Sequence, residues 1–81
     1  METRVAVIAI VIKDRETASR LNEILHEYAD HVIGRMGLPY PTKKVSIMSI
    51  AVDAPQPIIS ALSGKIGALN GVSVKTAYAD A

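Results

Sequence analysis

The chain has no cysteine, no tryptophan and no phenylalanine. Without cysteine there can be no disulfide, no thiolate metal site and no cysteine nucleophile, and a reducing compartment fits. Without Phe or Trp the core has to be built from Val, Ile, Leu, Met and Ala, and the strands offer no aromatic platform on which bases could stack. Charge of one sign is missing too: nine basic and eight acidic residues leave a net charge of +1. That is no electrostatic footprint for a nucleic-acid backbone. The longest apolar run, Val5–Ile12, falls far short of the roughly 18 residues that cross a bilayer. The start, Met1-Glu2-Thr3-Arg4, makes a poor signal peptide, because no small-residue cleavage site follows and the apolar run flows into Lys13-Asp14-Arg15. These absences describe a soluble, cytoplasmic protein without membrane contact.

What is present begins with Arg4–Ile12. β-Branched residues dominate it, so it reads as a strand. Alternate side chains of a strand point to opposite faces. One face carries Val5, Val7, Ala9 and Val11, the other Ala6, Ile8, Ile10 and Ile12. Both are apolar, so both call for cover. With 81 residues the chain makes one domain, spanning 1–81. Domains this small bury only about 60% of their unfolded surface, so self-association is a natural aid to stability.

Asp14 suits a helix N-cap and Glu16 a first turn. Ala18, Leu21, Ile24, Leu25 and Tyr28 then form one helical stripe, predicting a helix from about Arg15 to Ala29. His31–Leu38 is apolar and broken by Gly34 and Gly37, either of which can mark a bulge or close approach, and it reads as an edge strand because Pro39 and Pro41 lack ladder donors. Tyr40–Lys44 reads as a loop with a small basic tip at Lys43 and Lys44. Val45–Val52 is a third strand, again apolar on both faces: Ile47 and Ala51 on one, Met48, Ile50 and Val52 on the other. Asp53 is expected to end it. Pro55 and Pro57 suit a second helix start, and Ile58, Ile59, Leu62, Ile66 and Leu69 its buried stripe. Gly71 is expected at the C′ position of that helix, before an edge strand Val72–Tyr78. Strand, helix, strand, strand, helix, strand with right-handed crossovers gives an α+β, ferredoxin-like βαββαβ sandwich: a four-stranded antiparallel sheet with two helices on one face. Strands one and three are central in that fold, and they are the two that are apolar on both faces.

Few residues suggest chemistry. His26 and His31 lack the companions a metal site needs and read as a solvated helix end. Gly34-Arg35-Met36-Gly37-Leu38-Pro39-Tyr40 is the most unusual stretch. Arg35 is either a side chain on a bulged edge, paired with Asp or Glu, or a contact for an anion or small metabolite between subunits. The first reading weighs more on residue chemistry alone; the second supplies a candidate ligand-binding set of Arg35, Gly37 and Tyr40. Gly64 and Gly67 inside the second helix predict a close approach by a helix, strand or ligand, since each interior glycine costs about 1 kcal/mol. Gly64-Lys65 lacks the spacing of a phosphate loop. No nucleophile elbow, Ser/His/Asp pattern or paired carboxylate can be placed. No catalytic residue, metal ligand or cofactor is expected.

Asp14-Arg15, Asn22–Tyr28, Ile33–Tyr40, Val45–Asp53, Ile59–Gly67 and Gly71–Lys75 together resemble the iron-only hydrogenase system regulator family. Arg35–Tyr40 and Leu62–Gly67 are the most specific parts, and the likeness covers nearly the whole chain. The resemblance implies a ferredoxin-like domain similar to ACT domains and to the ligand-binding half of nickel-responsive regulators. Such domains usually associate through their sheets or edges. It also implies a role near the assembly or control of iron-only hydrogenase, and it carries over no catalytic residues. Unlike nickel-responsive regulators, the chain shows no N-terminal ribbon-helix-helix and no His and Cys ligand set, which argues against direct DNA binding and nickel sensing. The reading is a non-catalytic regulatory domain, a homodimer or higher homo-oligomer paired through its sheet. It would bind a small metabolite or a hydrogenase-system protein between subunits. A DNA-binding transcriptional regulator and a structural assembly module without ligand are the alternatives.

Overall fold

The computed structural model describes residues 2–79. Its elements are β1 (Arg4–Ile12), α1 (Thr17–Glu27), β2 (Val32–Tyr40), β3 (Val45–Ala54), α2 (Gln56–Gly67) and β4 (Val72–Tyr78), with short 3₁₀ turns at Ala29–His31 and Pro41–Lys43. The strands form one antiparallel sheet in the order β2-β3-β1-β4. This is the ferredoxin-like arrangement that the order of elements predicts, with β1 and β3 at the centre.

The β1–β3 register is unbroken from Arg4 opposite Ala54 to Ile12 opposite Ser46. Residues directly opposite share a face, so Ala6, Ile8, Ile10 and Ile12 lie with Met48, Ile50, Val52 and Ala54. All eight are buried under the helices. Leu21, Ile24 and Leu25 of α1 and Ile59, Leu62 and Ile66 of α2 close the core from above. Each fully buried aliphatic side chain contributes about 1.5–3 kcal/mol. Lys65 of α2 joins the helices at the surface, 3.2 Å from Glu27 and 5.1 Å from the Tyr28 ring centre. Tyr28, and then Glu27, hold its ammonium above the ordinary lysine value.

Several boundaries differ from the periodicity. α1 begins at Thr17 rather than Arg15. The Asp14 side chain accepts a hydrogen bond from the Glu16 amide (3.0 Å) and its carbonyl one from Thr17 N (3.1 Å), so a turn precedes the helix. Thr17 Oγ1 donates to the Asn70 carbonyl at 2.9 Å, pinning the helix start to the α2–β4 turn. α1 ends at Glu27, and Ala29 falls in the 3₁₀ turn. β2 runs through Pro39 to Tyr40, and β3 passes Asp53 to end at Ala54.

Gly71 is not the residue after α2. The helix stops at Gly67, and Gly71 ends the following turn with φ +68°. An added Cβ there would lie 2.9 Å from Asp14 Cβ and 3.1 Å from Asp14 N. Its carbonyl accepts from Lys13 N at 2.7 Å, so both crossovers meet at this point. The close approach expected at Gly64 and Gly67 is absent among the described residues: an added Cβ would meet nothing within 4 Å at either.

The glycines therefore differ in what they tolerate. Gly71→Ala should destabilise the protein by about 2 kcal/mol or more, because left-handed backbone and a clash with Asp14 act together. Gly64→Ala should stabilise it by about 1 kcal/mol, as expected for an unobstructed helix interior. Urea denaturation midpoints of the two variants against the parent check both signs.

Candidate functional site

β2 is the outer strand beside β3, and every residue from Ile33 to Tyr40 is exposed. A register shift between Val32 and Gly34 makes the expected bulge. Beyond it, Arg35 lies opposite Ile50, Gly37 opposite Met48 and Pro39 opposite Ser46, so these three face the helices. Gly34, Met36, Leu38 and Tyr40 lie opposite Ala51, Ser49, Ile47 and Val45 and face the other way. Arg35 and Gly37 thus share one side, while Tyr40 stands on the opposite side of the strand.

On the helical side, a groove separates α1 from β2. Arg35 Nη2 donates to Asn22 Oδ1 at 2.9 Å and crosses it. Hollows of about 370 Å³ and about 290 Å³ flank this bond, and Asn22 and Arg35 line both. The first also has Leu25, His26, Ala29 and Val32 in its walls. The second opens over Gly37 onto Leu21 and Met48. Among the described residues, Arg35 pairs with no carboxylate, contrary to the expected bulged-edge pairing. The acid nearest in sequence to Asn22, Glu23, is bound by Arg20 at 3.1 Å. No group of three His, Cys, Asp or Glu residues that could hold a metal occurs among the described residues. His26 stands on the groove wall and His31 in the 3₁₀ turn after α1.

Asn22 drew no notice in the sequence as a site residue. It sits beside the buried stripe of α1, where a local pattern gives no hint that it meets Arg35 across 13 residues. His26 reads in the sequence as a solvated helix end, and its place in the same hollow as Arg35 depends on how α1 lies against the sheet.

Among the described residues, no helix covers the opposite face of the sheet. Val5, Val7, Ala9 and Val11 of β1 lie between Asp53, Ala51, Ser49 and Ile47 of β3 and, from Val7 onward, Ala77, Lys75 and Ser73 of β4. Met36, Leu38 and Tyr40 extend this face over β2. Val5, Val7, Ile47, Met36, Leu38 and Tyr40 on it are between 42% (Val7) and 70% (Met36) exposed, while Val11 is half-buried. Four strands about 4.8 Å apart, rising about 3.3 Å per residue, give it a footprint on the order of 450 Å². Its paired positions carry one acid, Asp53, near a strand end, and one base, Lys75, on the edge strand.

The model of the TM1266-like family, described as "Iron-only hydrogenase system regulator, putative", matches residues 4–76. The chain belongs to this family. The solved structure of the uncharacterized protein TM1266 from Thermotoga maritima is 36% identical, with 98% of this chain and all of that one covered and a TM-score of 0.92. The crystal structure of an unknown protein from Galdieria sulphuraria is 20% identical over 99% of this chain and 47% of that one. Its TM-score of 0.66 supports the shared fold. No curated protein matches the chain. No helix among the described residues of this TM1266-like protein is long and apolar enough to cross a membrane.

Neither partner in the groove is needed for folding. Arg35 and Asn22 are exposed, so Arg35→Gln and Asn22→Ala should each change stability by less than about 0.5 kcal/mol. Thermal unfolding by circular dichroism measures this; a larger loss would make the pair structural.

Proposed function

We propose that this protein is a non-catalytic regulatory domain of the iron-only hydrogenase system. It works in the cytoplasm as a homo-oligomer packed through the open face of its sheet, and it responds to a small ligand or a partner protein. The observation that carries the reading is the uncovered apolar face that includes Val5, Val7, Ile47 and Leu38. Monomeric proteins rarely expose contiguous apolar patches beyond a few hundred Å². Two copies of this face approach the roughly 1,000 Å² at which specific interfaces begin. Small and apolar side chains without charge, Ser49 among them, fill its middle while Asp53 lies near a strand end and Lys75 on the edge strand, the core-and-rim pattern of a protein interface. A second copy is the natural occupant, since a two-fold contact sets the same patch against itself. Membership of the TM1266-like family supports the regulatory role. Direct DNA contact has less support, because the net charge is only +1.

Sedimentation velocity of the parent and of the double variant Val7→Lys/Ile47→Lys tests the assembly. Both sites are solvent-facing in one chain, so the substitutions leave the core intact. The parent should sediment as a dimer or larger species and the variant as a folded monomer. A parent that stays monomeric at every concentration, or a variant that still assembles, refutes pairing through this face.

A further inference from the structure

The groove on the helical side of the sheet carries a second inference. It rests on the reading of the chain as a ligand-responsive domain, but not on self-association, because it lies on the other side of the sheet. We propose that the Arg35–Asn22 groove is a binding site for a small organic carboxylate with a compact apolar body. Arg35 and Asn22 would hold the carboxylate, and the hollow over Gly37 would hold the body.

Three observations meet there. The first is charge. Among the described residues, the Arg35 guanidinium has one hydrogen-bond partner, the neutral oxygen of Asn22, leaving most of its donors free. A guanidinium fork fits a carboxylate through two parallel bonds, and the Asn22 amide nitrogen offers a further donor. Arg20 holds Glu23, the acid next to Asn22, so no internal carboxylate is bound in the groove.

The second is shape. β2 turns Arg35 and Gly37 to the same side, two residues apart. Because Gly37 has no side chain, the hollow reaches down to Leu21 and Met48 of the core. Its volume of about 290 Å³ stands at the lower end of small-ligand pockets. That suits a body of one ring or a short branched chain.

The third is exposure: Arg35 and Asn22 both stand at the solvent surface. β2 from Ile33 onward adds nothing to the buried core. A cation with no acid partner beside an apolar hollow is thus left for a molecule from outside.

The test is an amide chemical-shift titration of the full chain with benzoate, which joins a carboxylate to one apolar ring. Benzamide serves as its neutral counterpart and inorganic phosphate as an anion without an apolar body. Benzoate should shift the signals of Asn22, His26, Arg35 and Gly37 saturably, with a dissociation constant on the order of millimolar, as a fragment of this size allows. Benzamide should bind at least about tenfold more weakly, the charge-assisted bonds being lost. Arg35→Gln should bring benzoate down to the benzamide level. Gly37→Val should abolish binding while leaving a folded spectrum, since an added Cβ meets Met48 Cγ at an ordinary 3.9 Å. Tyr40→Ala, on the opposite face, should titrate like the parent. Equal affinity for benzoate and benzamide, parent-like binding by Gly37→Val, or phosphate binding as tight as benzoate overturns the proposal. So do shifts confined to Val7, Met36 and Ile47, which would place the ligand on the open sheet instead. Because these readouts do not require assembly, a monomeric parent in sedimentation would leave the site standing, and a failed titration would leave the dimer standing.

Discussion

Two helices cover only one face of a four-stranded sheet, and the central strands here are apolar on both. That mismatch governs the molecule. On the covered side, Ile8, Ile10, Ile50 and Val52 meet Leu21, Ile24, Ile59, Leu62 and Ile66 in a core free of large aromatics. On the other side, among the described residues, Val5, Val7 and Ile47 of the same strands stand exposed. A strand cannot be greasy in one direction only when successive residues alternate and all are Val, Ile or Ala. In Arg4–Ile12 the solvent side of a monomer would call for Thr, Lys or Glu, and it has Val5, Val7, Ala9 and Val11 instead.

The central pair was readable from the sequence because its signal is local. Alternation in Val5–Ile12 and Val45–Val52 assigns each residue to a face without knowledge of the third dimension, and both assignments match the buried set. The helical stripes were equally plain. The ends were not. Whether α1 starts at Arg15 or Thr17 depends on the Asp14 turn and on a hydrogen bond from Thr17 to Asn70, which a periodic pattern does not contain. Gly71, expected at the C′ position of α2, lies four residues past the helix end, and its left-handed backbone answers to Asp14 in another crossover.

The candidate site was half legible for the same reason. Arg35 and Gly37 share a side because they are two apart in a strand. Tyr40 is an odd number of positions from both and falls on the other face. The bulge at Ile33 shifts the parity of β2 against β3, so no reading of the strand alone could say which face met the helices. Once the register is known, the chain shows two surfaces with separate characters. One, on the uncovered side of the sheet, is broad and apolar. The other, between α1 and β2, is narrow and carries Arg35, and the sheet lies between the two.

From Ile33 onward the outermost strand is held by its backbone ladder to β3, while Val32 at its start packs against the core. A substitution beyond Val32 therefore falls outside the packed centre. The architecture resides in the two inner strands, and the outer one supplies surface rather than interior.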